Sequence, residues 1–175
     1  MYNITIIIPV YNVQDYIERC LDSIMAQESV NYHLECVLVN DCTPDRSMEI
    51  IDSKLRNYVG NIVFVVVNHE NNKGLSASRN TGLKNASGDY VLFVDSDDRL
   101  ENSALINLVN GLDDTNCKSK VDVVMGNTLI CKNKDLAMHF DNDSPFFIDN
   151  SHEQALQSLL RRKLFHTAWN KLVRR

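Results

Sequence analysis

Three carboxylates in four residues, Asp95, Asp97 and Asp98, follow an unbroken apolar run over residues 90–94. Like charges at this spacing repel and raise one another's pKa. A hard divalent cation relieves that repulsion. One or two carboxylates completed by substrate phosphates and water are the usual ligand set for such an ion. Two further strand-like runs end in polar residues, Tyr11-Asn12 and Asn40-Asp41. An aromatic ring, a lone acid and an acidic cluster suit a nucleotide with a metal-bound diphosphate: Tyr11 to stack on a base, Asp41 to accept from a base N–H or a ribose hydroxyl, Asp97 to hold the metal. Arg79 adds a planar donor fork that could reach a phosphate, on a helix that opens at Gly74. Each residue also has a plainer reading: Tyr11 as a half-buried turn residue, Asp41 as a turn cap, Arg79 as a solvated helix cation, and the acids as a loop before a helix.

These residues need elements to bring them together. The run over 90–94 is rich in β-branched and aromatic residues, as in a strand buried on both faces of a parallel sheet. Residues 4–10 read as a first strand, ending at Pro9, which cannot donate to a ladder. Residues 15–27 carry Ile17, Leu21, Ile24 and Met25 at helical spacing. Residues 34–39 form a second strand. Thr43-Pro44 then looks like an N-cap with proline at the first helical position, followed by a helix burying Met48, Ile51, Leu55 and Tyr58. A third strand over 62–67, a polar loop and a helix over 74–85 lead to the fourth strand. This alternation predicts right-handed βαβ units and an α/β fold, a mostly parallel sheet flanked by helices. Ligands of such sheets bind at the carboxyl ends of the strands, where the polar groups stand. A helix near 103–112, a fifth strand over 121–127 and a capping box at Ser151-His152-Glu153-Gln154 opening a helix with Ala155, Leu156, Leu159 and Leu160 follow. Residues 132–150 have no clear period, and residues 169–173 fit either a strand or a frayed tail.

The chain has 175 residues, enough for one domain with its own core. A composition 44% hydrophobic and 23% charged belongs to a soluble globular protein. The net charge of −5 gives no electrostatic case for nucleic acid as a partner. No apolar run approaches the roughly 20 residues that span a bilayer, and the start lacks the marks of a signal peptide. The five cysteines are odd in number and form no Cys-x-x-Cys, which argues against a disulfide framework and a zinc site. A reduced, cytoplasmic protein is expected.

The ordered motifs resemble the family 2 glycosyltransferases, inverting nucleotide-sugar enzymes with the GT-A fold, a Rossmann-like nucleotide-diphospho-sugar transferase architecture. The matching pieces are Ile8-Pro9-Val10-Tyr11-Asn12, Leu21-Asp22-Ser23-Ile24, and Val39-Asn40-Asp41-Cys42-Thr43-Pro44-Asp45. They continue through Asn72-Lys73-Gly74-Leu75-Ser76-Ala77-Ser78-Arg79-Asn80-Thr81-Gly82, Gly88-Asp89-Tyr90, Asp95-Ser96-Asp97-Asp98 and Trp169-Asn170-Lys171. The resemblance covers essentially the whole chain. It implies that Pro9, Tyr11 and Asp41 hold the nucleoside, that Arg79 lies at the diphosphate, and that Asp95-Ser96-Asp97 is the family's Asp-x-Asp. Asp95 would face the ribose and metal, Ser96 would belong to the same donor-binding group, and Asp97 would bind the metal, Mg²⁺ or Mn²⁺. The implied partners are a nucleotide-diphosphate sugar, with uridine preferred, and a carbohydrate or lipid-linked acceptor. A homodimer stays open, as does peripheral contact with the inner face of a membrane through the basic residues Arg161, Arg162, Lys163, Lys171, Arg174 and Arg175.

The chain departs from the family pattern in two places. Asn40 and Cys42 stand where the family has aspartate and glycine, and a left-handed backbone at Cys42 would cost energy. The downstream acidic pair that supplies the family's general base has no match, and nothing promotes His139, His166, Asp141 or Asp143 to that role, so the catalytic residue is unknown. The expectation is one nucleotide-sugar-binding domain over 1–175 without the C-terminal acceptor part. Two alternatives remain: a non-catalytic nucleotide-sugar binding module, and a phosphatase or phosphotransferase with Asp95 as nucleophile and Asp97 as acid.

Overall fold

The computed structural model describes residues 1–27, 29, 31–113, 121–126, 129–132, 136–139 and 171–175. The first strand, β1 (Tyr2–Val10), is followed by α1 (Ile17–Met25), β2 (Tyr32–Asn40), α2 (Ser47–Asn57), β3 (Val63–Asn68), α3 (Leu75–Asn85) and β4 (Tyr90–Phe93). Then come α4 (Ala104–Asn110), a 3₁₀ turn over Gly111–Asp113, β5 (Val123–Met125), a β6–β7 pair (Leu129–Lys132 and Leu136–His139), and β8 (Lys171–Arg174). The main sheet has the order β3-β2-β1-β4-β8-β5. Its first four strands are mutually parallel, and β8 runs antiparallel to both β4 and β5. The mostly parallel α/β expectation is met, with one reversed strand inserted near the far edge.

The apolar strands are explained by burial on two faces. Ile4, Ile6, Ile8 and Val10 of β1 join Cys36 and Leu38 of β2 in one cluster with Ile17, Leu21 and Ile24 of α1, Ile51 of α2 and Leu105 of α4. Ile7, Val37, Val39 and Val91 point the other way, into a second cluster. There α3 packs on β1 and β2. That helix has little apolar surface to offer, and its buried residues are Ser78 and Gly82. It works by close approach: a Cβ on Gly82 would lie 2.2 Å from Ile7 Cγ2.

Several boundaries move from the expected ones. β1 does not stop at Pro9, which pairs with Val39 one residue before the strand's end. Ile7 accepts from Val94 N–H on the β4 side. Pro9, two residues on, faces that same side beyond Phe93, the last β4 residue in register. Its missing N–H therefore has no ladder partner to lose. The helix expected at Thr43-Pro44 begins at Ser47 instead. The Thr43 hydroxyl donates to Asp45 at 2.7 Å, and the Asp45 carboxylate accepts from Ser47 N–H at 3.1 Å. Asp45 thus serves the first turn of α2 as Thr43 was expected to.

The ambiguous chain end is a strand, with Leu172 fully buried between Leu92 and Val124. Of the basic residues considered for a membrane, Arg174 pairs with Asp122, and Arg175 donates to Ala86 O. Arg161, Arg162, Lys163, Trp169, Asn170 and the helix expected after Ser151 lie outside the described residues, as do Asp141, Asp143 and His166. Among the described residues, no helix is long and apolar enough to cross a membrane.

Candidate nucleotide-sugar site

β2 lies on one side of β1 and β4 on the other, so the chain switches direction across the sheet between β1 and β4. The carboxyl edge at such a switch opens a crevice. Here β1–β4 pairing ends at Ile7 and Phe93 while β1 continues to Val10. Tyr11, 44% exposed, follows β1 on this edge, and the acidic turn follows β4 on the same edge. Asp97 and Asp98 are exposed, Asp95 is half-buried and Ser96 is buried. Pro9 is also buried, so it shapes the turn and presents no ring surface.

The turns after β1 and β2 are laced together. Thr43 Oγ1 accepts from Asn12 N–H at 2.8 Å, the Asp45 carboxylate from Gln14 N–H at 2.9 Å, and Ser47 Oγ from Val13 N–H at 3.2 Å. Burial alone would raise the Asp45 pKa, but bonds from Ser47, Thr43 and Gln14 prevail and hold it at about 2. Asn12 and Cys42 both adopt left-handed backbone, with φ of 54° and 56°. Asparagine tolerates this conformation and cysteine does so poorly. The strain anticipated at Cys42 is present.

Asp41 is 3% exposed and its carboxylate is engaged. Oδ1 accepts from Lys73 N–H at 2.8 Å and lies 2.7 Å from His69 Nδ1, and Oδ2 accepts from Gly74 N–H at 2.8 Å. His69 Nε2 lies 2.8 Å from Thr81 Oγ1. Burial pushes the Asp41 pKa up, yet the bonds from His69, Lys73 and Gly74 outweigh it and the pKa ends below the usual carboxylate value. The Asp41 carboxylate accepts from His69 Nδ1–H, and Nε2 of the same ring is joined to the Thr81 hydroxyl. Asp41 thereby ties the end of β2 to the loop that enters α3, where Gly74 sits at φ 85°. One acceptor position on Oδ2 has no bond within the protein among the described residues.

The same helix carries Arg79, whose Nη2 meets Asp95 Oδ1 at 2.6 Å. Arg79 Nε is buried and without a partner among the described residues. Asp41, Gly74, Arg79 and Asp95 therefore form a continuous mechanical link from β2 through α3 to β4. Asp98, although open to solvent as a residue, has its carboxyl pushed above the usual range, first by partial burial and then by the charges of Asp97 and Asp95, with Arg19 opposing.

Among the described residues no three His, Cys, Asp or Glu side chains converge closely enough to hold a metal alone. The donor set fits a different arrangement. With Asp95 paired to Arg79, Asp97 and the raised Asp98 are left to offer oxygen to a cation that brings phosphate and water ligands with it.

Strand-end reasoning places Tyr11, Asp41 and the Asp95–Asp98 turn on this edge; Arg79 comes from the helix that opens at Gly74, and Ser96 as a donor contact from the family resemblance. It missed His69 and Thr81. His69 follows directly on the end of β3, so the same rule applied to the third strand would have found it.

The profile of glycosyl transferase family 2 matches residues 5–175. The chain belongs to that family. Among its family 2 relatives, the glycosyltransferase GlyA of Streptococcus pneumoniae is 42% identical over 124 residues, which cover 71% of this chain and 16% of GlyA. The crystal structure of Staphylococcus aureus TarS residues 1–349 in complex with UDP-GlcNAc superposes with a TM-score of 0.59 at 34% identity, over 69% of this chain and 33% of that one. The mannosyltransferase PcManGT of Pyrobaculum calidifontis, in complex with GDP-Man and Mn²⁺, gives a TM-score of 0.59 at 26% identity, over 69% of this chain and 34% of that one. The chain spans 16% of GlyA and about a third of each of the two crystallised chains. Its sheet and helices are those of the GT-A glycosyltransferases.

Proposed function

We propose that residues 1–175 form one donor-binding domain of an inverting glycosyltransferase that takes a sugar from a nucleoside diphosphate, with uridine as the base. The acceptor is a hydroxyl of a carbohydrate or lipid-linked polymer, and the setting is cytoplasmic. The observation that carries this reading is the shared carboxyl edge of β1 and β4, where Tyr11 follows one strand, the Asp95–Asp98 turn follows the other and Arg79 of α3 pairs with Asp95. Tyr11 offers a ring to the base. The open position on Asp41 Oδ2 suits a ring N–H at the crevice wall. Arg79, held at the level of Asp95, presents positive charge where the diphosphate would lie.

Asp97, with Asp98 beside it, would hold a Mg²⁺ or Mn²⁺ ion. When bound, that ion supplies charge neutralisation for the departing diphosphate. Asp95, held by Arg79, would face the ribose. The TarS complex with UDP-GlcNAc supports a uridine donor, and the PcManGT complex with GDP-Man and Mn²⁺ supports a divalent cation. The Arg79–Asp95 ion pair weighs against phosphotransfer through Asp95, because a nucleophile clamped by a guanidinium at 2.6 Å is poorly placed to attack.

Calorimetric titration of UDP with and without Mn²⁺, on the parent and on Asp97→Ala, tests the reading. The parent should bind UDP more tightly with Mn²⁺, and Asp97→Ala should lose about tenfold or more of that gain. Its melting temperature should hold or rise, since one member of a like-charged cluster is gone. Equal Mn²⁺-dependent affinity in the two proteins would overturn the metal role. A folded parent that binds no nucleotide would overturn the donor site.

A further inference from the structure

The acidic turn is held from below by one helix face. On α1, Arg19 Nη2 donates to Asp97 O at 2.8 Å, and Cys20 Sγ lies 3.9 Å from Asp95 O. One turn on, Ser23 Oγ accepts from Leu100 N–H at 3.0 Å. Just past the helix, Gln27 Nε2 donates to Glu101 O at 2.9 Å, and Gln27 Oε1 accepts from Leu105 N–H at 3.0 Å. The positions 19, 20 and 23 share one face of α1 by their three- and four-residue spacing, and Gln27 extends that line just beyond its end. Every one of these contacts goes to main chain between residues 95 and 105, from the turn after β4 into the first turn of α4.

The chemistry of the two neutral members is tightly specified. The Ser23 hydroxyl spends its proton on Cys20 O at 2.7 Å, which leaves the oxygen as an acceptor aimed at Leu100. Gln27 is 2% exposed and uses both amide protons, on Ser23 O at 3.0 Å and on Glu101 O. Its carbonyl takes one of the N–H groups that the first turn of α4 cannot satisfy internally. Reversing the amide would set two carbonyls against an oxygen and one N–H against an amine, so its orientation is fixed by its partners. The turn itself closes through Asp98 N–H to Asp95 O at 3.0 Å. The carboxylates therefore leave a backbone whose course is set on both sides of Leu100 by α1.

We infer that Ser23 and Gln27 are positioning residues for the cation: by fixing the main chain from Leu100 to Leu105 they fix where the Asp97 and Asp98 carboxylates stand. The inference rests on the reading that Asp97 holds the cation. Both residues are uncharged, so their removal cannot change cation affinity through charge. Arg19 contacts the same turn but carries a charge that would act directly on the ion, which makes it a poor probe.

The test measures Mn²⁺ binding apart from turnover. The UDP affinity of the protein is titrated with and without Mn²⁺ for the parent, Ser23→Ala, Ser23→Thr, Gln27→Leu and Asp97→Ala, each with its melting temperature. Ser23→Ala and Gln27→Leu should cut the Mn²⁺-dependent gain by about tenfold, as is typical when groups that orient metal ligands are lost. Their metal-free UDP affinity should match the parent, and Ser23→Thr, which keeps the hydroxyl, should restore the gain. If Gln27→Leu fails to fold, Ser23→Ala decides alone, since it leaves the buried amide in place. Ser23→Ala with a lower melting temperature and an undiminished Mn²⁺ gain would overturn the inference and leave Ser23 a structural residue only. Loss of the gain in Asp97→Ala alone would confine the failure to the positioning role. Parent-like behaviour of Asp97→Ala would sink both readings.

Discussion

Cys42 carries the clearest residue-scale cost. It holds φ 56° between Asp41, which must reach back to the α3 loop, and Thr43, which must reach the turn after β1. Both neighbours' bonds depend on the left-handed step, so the backbone keeps it despite the Cβ. A non-glycine residue there costs about 1–2 kcal/mol. Cys42→Gly regains part of this and loses part to a freer unfolded chain. The expected result is a gain of about 1 kcal/mol in urea-unfolding stability with UDP affinity retained. Unchanged or lower stability would mean that the thiol makes a compensating contact. Asp45, two residues beyond Thr43, is the opposite case. Its pKa of about 2 lies below the unfolded carboxylate value, so its contribution is complete above that value and fades only as pH falls toward 2.

At the scale of elements, α3 is the part with most tasks. It covers the β1–β2 face, its entrance is tied to Asp41, and it delivers Arg79 to Asp95. Its weak amphipathicity follows from its packing, because Ser78 and Gly82 let the helix axis come close to the sheet. Gly82→Ala tests this. The added methyl would meet Ile7 Cγ2 at 2.2 Å, and Ile7 is fully buried. Overpacking of this kind costs about 1–3 kcal/mol, and a denaturation curve should show a loss near 2 kcal/mol. A shift of α3 would also disturb the Arg79–Asp95 pair, so nucleotide affinity should fall with stability. Stability equal to that of the parent would mean that α3 can back away from the sheet.

For the whole molecule, β8 is the closing piece. A segment from the end of the chain inserts antiparallel between β4 and β5, and Leu172 fills the core beside Leu92. Without it β4, the strand that carries the acids, would be an open edge. Arg175 N–H bonds Asp89 O at 2.9 Å and Arg174 N–H bonds Asp122 O at 2.7 Å, which tether the strand on both sides. Leu172→Ala should destabilise the fold by about 3 kcal/mol, within the usual range for a fully buried leucine. A loss below about 1 kcal/mol would show that β8 is an accessory to the sheet.

The sequence by itself determined the alternation of strands and helices and the edge on which the polar residues gather. Both follow from local pattern: apolar runs buried on two faces, helical spacing between them, and polar residues at each run's end. The family resemblance adds that a left-handed backbone at Cys42, where the motif has glycine, would cost energy. Only the tertiary structure decided the rest. Asp41 is largely spent on His69, Lys73 and Gly74, partners 28 to 33 residues away that no local spacing reveals. β8 is four residues long, too short to show a period, and exists because two other strands offer it their edges. α2 starts at Ser47 because Asp45 outcompetes Thr43 for the first turn, a contest settled by the neighbouring β1 turn that draws on both side chains. Side chains at strand ends can be read from sequence; which of them are already taken depends on contacts between segments distant in the chain.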